Sequence, residues 1–467
     1  MNAPRRELRR DLGLAAAVSV IVGSMIGVGI FLGPRVVAQQ LPTPGLMLAA
    51  WAAGGVFVLC GAMTYAEMAT LFPRSGGSYN FIKAAFGPFP AFLSGWSGVA
   101  IGKAANVSAL AVGFGQVGSV LLSALVGVTL TPAGQLVAAA ALILALALVN
   151  ILGVRHGGRL SIVASTVKVG ALAGLILAGL VVLAPRYGTL ASADIPAPSG
   201  LPLLSAFGLA LIPIFFAYDG WENSTQVADE VRDPKKNVPR SLILGTLLVL
   251  AIYVLANLVY LLAVGPGTVG ASTFAAGETA DEIFGPGANV VVSVAILVSI
   301  VGTVNNIVLT GPRIAFAMAK DGLVPDGLSK LTRFATPGRA ILLQSAISLA
   351  LVMLPPVGGA PLFDTLLTYI IVDSFVFYAL ATGAIFVLRR TMRDAPRAYR
   401  VPLYPIVPGI FVVGSILFVI NAFVRTPAEA AVGILIVLAG TPIYLYSRRA
   451  RRAKKLDGVT YSWAETR

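Results

Sequence analysis

Apolar segments of about 18 residues or more recur along the whole of this 467-residue chain. Each is long enough to cross the hydrocarbon core of a bilayer, which is roughly 30 Å thick. The chain is 57% hydrophobic and only 12% charged, whereas soluble domains carry about 25% charged residues. We therefore predict an all-α polytopic membrane protein with twelve transmembrane helices. The predicted spans lie at about 13–36, 44–71, 89–122, 134–153, 160–184, 203–230, 241–264, 288–319, 340–357, 362–388, 403–424 and 428–446.

The net charge of +14 would also suit a nucleic-acid-binding protein, but the positions of lysine and arginine argue against that class. When the N-terminus is placed inside, 29 of the 34 lysines and arginines fall on one side of the membrane. The exceptions are Arg35, Arg186 and Arg425 near the opposite ends of spans, and Lys103 and Lys168 within spans. This asymmetry follows the positive-inside rule. It predicts a multi-pass protein of the cell membrane with both tails, 1–12 and 447–467, in the cytoplasm.

Two predicted spans carry residues that interrupt a helix. The first contains "GSMIGVGIF" at 23–31, with glycine at three of seven consecutive positions, and each glycine costs a helix interior about 1 kcal/mol relative to alanine. The sixth contains "PIFFAYDGWENSTQVADE" at 213–230, where polar residues and a glycine follow an apolar run. We expect both helices to be discontinuous.

Broken helices in the first and sixth spans are typical of two inverted repeats of five spans each. The first repeat would cover 13–184 and the second 203–390, with the last two spans, 403–446, outside them. Non-helical backbone at membrane depth is tolerated only where protein or a watery cavity satisfies it. The two breaks therefore predict a transporter with a binding cavity near the membrane midplane.

The predicted break in the first span has donors for an anion. Free backbone N–H groups at Gly27, Val28 and Gly29 would start the outer half-helix, and helix N-termini bind anions. Missing Cβ atoms let a carboxylate approach closely. The alternative is a helix-packing surface, because Gly23 and Gly27 have the four-residue spacing of small residues in close helix contacts.

The ends of the interrupted helices also expose carbonyl groups. Those of Met25, Phe216 and Asp219 are candidates for binding an ammonium group. Donors next to acceptors suit a zwitterion, so the predicted substrate is an α-amino acid. Ser24 and Ile26, within the first break, are candidates for lining the pocket.

Four segments resemble the amino acid–polyamine–organocation (APC) superfamily, and most closely its L-type amino acid transporter branch and the bacterial relatives of that branch. They are "GSMIGVGIF", "FAYDGWENSTQVADEVRDPKKNVPRSL" (216–242), "GTVNNIVLTGPRIAFAMAKDGLVP" (302–325) and "RAYRVPLYP" (397–405). The resemblance implies the five-plus-five fold of the bacterial leucine transporter, with alternating access. The family often has serine where Val28 stands. The family cysteine that links a partner subunit is missing from "LLSALVGVTLTPAG" (121–134), so we expect a monomer without a disulfide-linked subunit.

Lys168 lies nine residues beyond Arg159, hence roughly 13 Å along a helix, and intramembrane charges are functional candidates. The resemblance implies that its ammonium stands where sodium-coupled relatives bind a cation between spans one, five and eight. We predict that Lys168 braces the unwound backbone of Gly23–Gly27, that Thr303 and Asn305 support it, and that transport is sodium-independent. The alternatives are that Lys168 caps carbonyl groups in helix packing without a coupling role, or that it carries a proton.

Three of the remaining polar candidates have two alternative interpretations each. Lys103 either lines the pathway or satisfies carbonyl groups. Asp219 either contacts a cationic substrate or has a local structural role. Asp373 is a pathway residue or a buried, hydrogen-bonded acid. Glu222, with Asn223, is predicted to hydrogen-bond the unwound backbone near the pathway.

Three further residues are gate candidates. The resemblance suggests that Tyr218 and Trp221 form an aromatic gate over the substrate, with plain packing as the alternative. Glu67 is expected to pair with a cytoplasmic arginine, or to be solvated in a loop.

The predicted function is sodium-independent transport of amino acids, with neutral side chains and exchange favoured. The alternatives are a proton-coupled symporter and a carrier of cationic amino acids or polyamines. With one histidine and one cysteine, the chain does not easily assemble a metal site or a catalytic triad. We expect neither an enzyme nor a cofactor.

Overall fold

The protein is helical in a computed structural model that describes residues 12–74, 76–152, 154–186, 200–226, 228, 231–272, 274–320, 323–334, 336–353, 362–425 and 427–447. The predicted tails lie outside the described residues, apart from Leu12 and Ser447. The helices are, in chain order, α1 (Leu14–Met25), α2 (Gly29–Gln40), α3 (Pro44–Leu71), α4 (Gly77–Phe86), α5 (Pro88–Ser97), α6 (Ala104–Val126), α7 (Pro132–Leu152), α8 (Val154–Val182), α9 (Gly200–Tyr218), α10 (Asn223–Gln226), α11 (Pro234–Ala271), α12 (Ala275–Phe284), α13 (Ala288–Thr310), α14 (Pro312–Lys320), α15 (Gly338–Met353), α16 (Leu362–Thr391), α17 (Ile406–Arg425) and α18 (Pro427–Leu438). A π-helical turn, Gly98–Lys103, joins α5 to α6, and a 3₁₀ turn covers Asp326–Ser329.

The described residues contain seven helical stretches that are long and apolar enough to cross a membrane. A bent pair, α1 with α2, passes the same test as one broken span with a bend of 48°. The shorter apolar helices cover Thr166–Val182, Pro202–Tyr218, Gly338–Met353 and Ala431–Ser447. The described part of the chain is thus helical, as predicted, with many helices long and apolar enough to cross a membrane.

The interruption of the first helix is confirmed. α1 ends at Met25, Ile26 is extended (φ −70°, ψ 92°), and α2 begins at Gly29. The sixth predicted span is interrupted at the expected residues, because α9 ends at Tyr218 and Gly220 takes a left-handed φ of 95°.

The two interrupted helices pack against each other and are held between two groups of neighbours. α2 lies along α9, while α11 packs on α1, α2 and α3. On another side, α13 packs on α6 and α8. The breaks therefore lie inside the bundle, where neighbouring helices supply partners for the freed backbone groups.

A buried ion pair fixes the end of α3 to the end of α16. The fully buried carboxylate of Glu67 receives Nε and Nη2 of Arg389 at 2.9 and 2.6 Å. Nε of Arg397 lies 3.1 Å from Glu67 Oε1, and the N–H of Val401 donates to Oε2 at 2.8 Å. The predicted arginine partner of Glu67 is confirmed. Partial burial and the charge of Glu67 raise the pKa of Tyr399, in the loop after α16.

Candidate substrate site

The break between α1 and α2 exposes backbone donors. Within the described residues, the N–H groups of Gly27, Val28 and Gly29 form no hydrogen bond. Gly27 is partly accessible, as are Gly23 and Ser24, whereas the residues on either side are buried. Free N–H groups at the start of a twelve-residue helix make a site for an anionic group.

The glycines of this break have different surroundings. A Cβ added at Gly27 would meet only the Met25 carbonyl oxygen, at 3.9 Å. A Cβ added at Gly29 would lie 2.7 Å from Cα of Ala217, which is closer than real Cβ atoms come to backbone. Gly29 is therefore required for the packing of α2 on α9, whereas Gly27 leaves open space beside the donors.

The candidate acceptors are partly occupied. The Met25 carbonyl accepts a hydrogen bond from the Tyr253 hydroxyl at 2.6 Å, and the Phe216 carbonyl accepts one from the Asp219 N–H at 3.2 Å. Each carbonyl oxygen has two lone pairs, so both retain capacity for a second donor. The Asp219 carbonyl has no hydrogen bond among the described residues.

Tyr253 was not among the site residues predicted from the sequence. It is fully buried in α11 and donates its hydroxyl toward the carbonyls of Met25, at 2.6 Å, and Ala217, at 2.9 Å. One tyrosine thus touches both interrupted helices. The only signal in the sequence was a hydroxyl-bearing ring in an apolar helix, which also fits ordinary packing.

Lys168 lies where α8 meets the end of α1 and the middle of α13. Its Nζ donates to the Gly23 carbonyl at 2.5 Å and to the Thr303 hydroxyl at 3.4 Å. The side chain is buried. Asn305, in contrast, accepts a hydrogen bond from Asn150 of α7 at 2.9 Å. The structure thus brings together Lys168, Gly23 and Thr303, and it places Asn305 in a different pair.

Asp219 is held at the other break by neutral groups. The Tyr378 hydroxyl donates to Oδ1 at 2.8 Å, and Asn106 Nδ2 lies 3.5 Å from Oδ2. Asp219 and Asn106 are both half-buried. These contacts link the carboxylate to Asn106 of α6 and Tyr378 of α16.

Glu222 follows Asp219 and is buried. Gln226 Nε2 lies 3.4 Å from its Oε1, and Oε2 has no hydrogen-bond partner among the described residues. The charges of Asp219 and Lys103 act on it. Lys103 is half-buried at the end of the π-helical turn.

The two aromatic candidates are packed side chains in this structure. Tyr218 is buried against Trp51, donates its hydroxyl to the Trp51 carbonyl at 3.1 Å, and contacts Tyr253. Trp221 is buried edge-on to Tyr65, with ring centroids 4.6 Å apart, and close to Tyr378.

The pocket candidates of the first break lie against the second. A Cβ added at Gly220 would be 3.0 Å from Cβ of Ser24, so the two breaks touch here. Ile26 is fully buried, whereas Ser24 is partly accessible. Ser24 is thus the better placed of the two to face a substrate.

Asp373 forms its hydrogen bonds with Ser97 and not with the residues at the two breaks. Both of its carboxyl oxygens are within reach of the Ser97 hydroxyl, one of them at 2.5 Å, and both residues are buried. Ser97 immediately precedes the π-helical turn. The structure supports the buried, hydrogen-bonded acid of the two alternatives.

Comparison with known proteins gives the family. The family model described as "Amino acid permease" matches residues 12–446. The chain is 31% identical over 465 residues to the serine/threonine exchanger SteT of Bacillus subtilis, covering 97% of this chain and 100% of that protein.

Two mouse proteins are also similar over most of the chain. The b(0,+)-type amino acid transporter 1 is 29% identical over 441 residues, or 94% of this chain and 88% of the relative. The large neutral amino acids transporter small subunit 2 is 30% identical over 441 residues, or 94% and 81%. These relatives are transporters and not enzymes. The chain therefore belongs to the amino acid permease family and is an amino acid transporter of the APC superfamily.

Proposed function

We propose that this permease is a sodium-independent exchanger of neutral amino acids that works by alternating access in the cell membrane. The observation that carries the proposal is the contact of the Lys168 ammonium with the Gly23 carbonyl and the Thr303 hydroxyl. Carbonyl and hydroxyl oxygens of this kind are ligands for a hard cation. Here a covalently attached cation takes them, and its positive charge repels a second one.

The substrate class follows from the backbone groups of the two breaks. The free N–H groups of Gly27, Val28 and Gly29 would bind the α-carboxylate. The α-ammonium group would bind the carbonyls of Met25, Phe216 and Asp219, where two helices present the negative ends of their dipoles. Because these contacts bind only the α-carboxylate and the α-ammonium group, they would be common to all α-amino acids.

The preference for neutral side chains rests on Asp219. Its carboxylate accepts hydrogen bonds from Tyr378 and Asn106, and this arrangement uses it as an anchor instead of a partner for a cationic side chain. Two relatives carry names that state serine/threonine exchange and the transport of large neutral amino acids. These names agree with the proposed preference.

The proposed architecture has twelve spans in two inverted repeats, 13–184 and 203–390, followed by 403–446. Support comes from the seven long stretches, the bent pair and the four shorter apolar helices, which follow the predicted ranges in order. The interruptions fall in the first and sixth of these. Both termini would be cytoplasmic, as the distribution of lysine and arginine predicts.

We also propose that the transporter works without a disulfide-linked subunit, as a monomer. The chain has one cysteine, Cys60, which is partly buried in the middle of α3. A thiol at that depth in a span is poorly placed to bond a partner outside the membrane.

The test is uptake of labelled L-serine or L-leucine into proteoliposomes that contain the purified protein, with internal amino acid, sodium and pH varied independently. Exchange predicts uptake that requires internal amino acid and ignores sodium and proton gradients. Uptake into empty vesicles that follows a proton gradient would overturn exchange in favour of symport. Competition by L-lysine or putrescine as strong as that by unlabelled substrate would overturn the neutral preference.

A further inference from the structure

The hydroxyl of Tyr253 lies between two carbonyl groups that belong to different interrupted helices. Met25 is the last residue of α1, and Ala217 is in the last turn of α9. The distances from Tyr253 Oη to the two carbonyl oxygens are 2.6 and 2.9 Å.

The ring that carries this hydroxyl is fixed. It stands edge-on to Trp51 at 5.7 Å between centroids and lies 5.0 Å from Tyr218. All three rings are fully buried. Because the ring has no room to turn away, the oxygen keeps its place between the two helix ends.

A tyrosine hydroxyl has one proton to donate, yet two acceptors compete for it here. Both acceptors are at C-terminal helix ends, which carry partial negative charge, so bringing them together is unfavourable unless a donor lies between them. The hydroxyl satisfies one carbonyl at a time. The other carbonyl then needs a second donor.

We propose that Tyr253 is a positioning residue for the substrate's amino group: its hydroxyl ties the C-terminal ends of α1 and α9 together and donates its proton to whichever carbonyl the substrate ammonium leaves free. This rests on the proposed function, in which the ammonium binds the Met25 carbonyl. With substrate bound there, the proton goes to Ala217. In the empty site it goes to Met25, which is the nearer acceptor.

The chain offers a matched control on the same helix. Tyr260 lies two turns along α11 and is also buried, and its hydroxyl has no hydrogen-bond partner among the described residues. Tyr253→Phe and Tyr260→Phe therefore remove the same atom from similar surroundings, and only the first removes the bridge between the breaks.

The experiment measures exchange of labelled L-serine and L-leucine by both variants in proteoliposomes, together with inhibition by the corresponding L-2-hydroxy acids, which have a hydroxyl in place of the ammonium. Tyr253→Phe should raise KM for the amino acids about tenfold and leave the maximal rate within about twofold. It should leave inhibition by the hydroxy acids unchanged. Tyr260→Phe should change neither constant.

A parallel measurement does not depend on transport. Hydrogen–deuterium exchange of detergent-solubilised protein should increase at both breaks, in peptides covering 25–29 and 217–221, in Tyr253→Phe but not in Tyr260→Phe. An unchanged KM, or equal losses for amino acids and hydroxy acids, would overturn the positioning role.

The two measurements also separate the proposal from the function on which it rests. If wild-type protein exchanges neither amino acid, the proposed function fails and amino-group positioning fails with it. Hydrogen exchange still decides the bridge in that case: unchanged exchange at both breaks would show that the hydroxyl does not hold them together.

Discussion

The ammonium nitrogen of Lys168 lies 2.5 Å from the carbonyl oxygen of Gly23, although the residues are 145 positions apart. The bond joins α8 to the last turn of α1, just before the chain leaves helical geometry. A buried cation thus stabilises a helix end that carries partial negative charge. Lys168 thus contacts the end of α1 at the break, although it lies on a different helix.

Lys168→Ala should reduce the initial rate of amino acid exchange at least about tenfold, because a lost hydrogen bond to a charged group is worth about 1.5–3 kcal/mol. The measurement is uptake into preloaded proteoliposomes at matched protein content. Lys235→Ala, at an exposed position of α11, is the control and should exchange at the wild-type rate. Unchanged substrate kinetics in Lys168→Ala would contradict the proposed role of Lys168 at the break between α1 and α2.

Glu67→Gln should destabilise the protein in detergent by about 3 kcal/mol or more, because breaking a buried ion pair leaves uncompensated arginine charge. Glu282→Gln is the matched control, since its pair with Arg186 has side chains 40% and 47% exposed and such pairs are worth at most about 1 kcal/mol. Thermal unfolding of both variants measures the difference. Equal shifts in the unfolding midpoint would show that the ion pairs of Glu67 with Arg389 and Arg397 stabilise the protein no more than the exposed pair does.

Gly27→Ala and Gly29→Ala should fail in different ways. At Gly29 the new methyl group would overlap Ala217, so we expect a large loss of folded protein by fluorescence size-exclusion chromatography. At Gly27 there is space for it, so the protein should fold while KM rises because the methyl group crowds the carboxylate site. Wild-type KM in folded Gly27→Ala would argue against carboxylate binding at this break.

Asp219→Asn should retain exchange of neutral amino acids within about threefold, because the amide oxygen still accepts the Tyr378 hydroxyl. Asp219→Ala leaves that buried hydroxyl without its acceptor and should cost about tenfold. Both follow from exchange assays with L-leucine, with L-lysine tested as competitor. If Asp219→Asn selectively removed inhibition by L-lysine, the carboxylate would instead serve a cationic side chain.

Features with a strong local signal could be predicted from the sequence. The apolar runs gave the helical membrane architecture, and clustered glycines and polar residues gave both interruptions. The contact of Lys168 with the first break was predicted through the resemblance to the APC superfamily. The arginine partner of Glu67 was one of two predicted alternatives, because a charge at a span end needs either a partner or solvent.

Features that depend on distant contacts could not be predicted. The role of Gly29 is set by Ala217, and that of Tyr253 by two carbonyls on other helices. Neither has a signature in neighbouring residues. The short helices α4 and α12 were also missed, because they are shorter than the windows in which hydrophobic periodicity is read. The π-helical turn and α14 fall within the predicted spans 89–122 and 288–319, whose internal irregularities were not predicted.

The contacts of Glu67 with Arg389 and Val401 form only late in the synthesis of the chain. Its carboxylate is synthesised 322 residues before Arg389 and 334 before Val401. At about 5–20 residues per second, that interval lasts about 15 to 65 s. Throughout this interval α3 is already in the nascent chain, and the Glu67 carboxylate has none of its final partners. A chain truncated before α16 lacks Arg389 and Val401, so its Glu67 carboxylate has lost these two partners. An unpaired carboxylate at this depth is a defect that we expect cellular quality control to recognise.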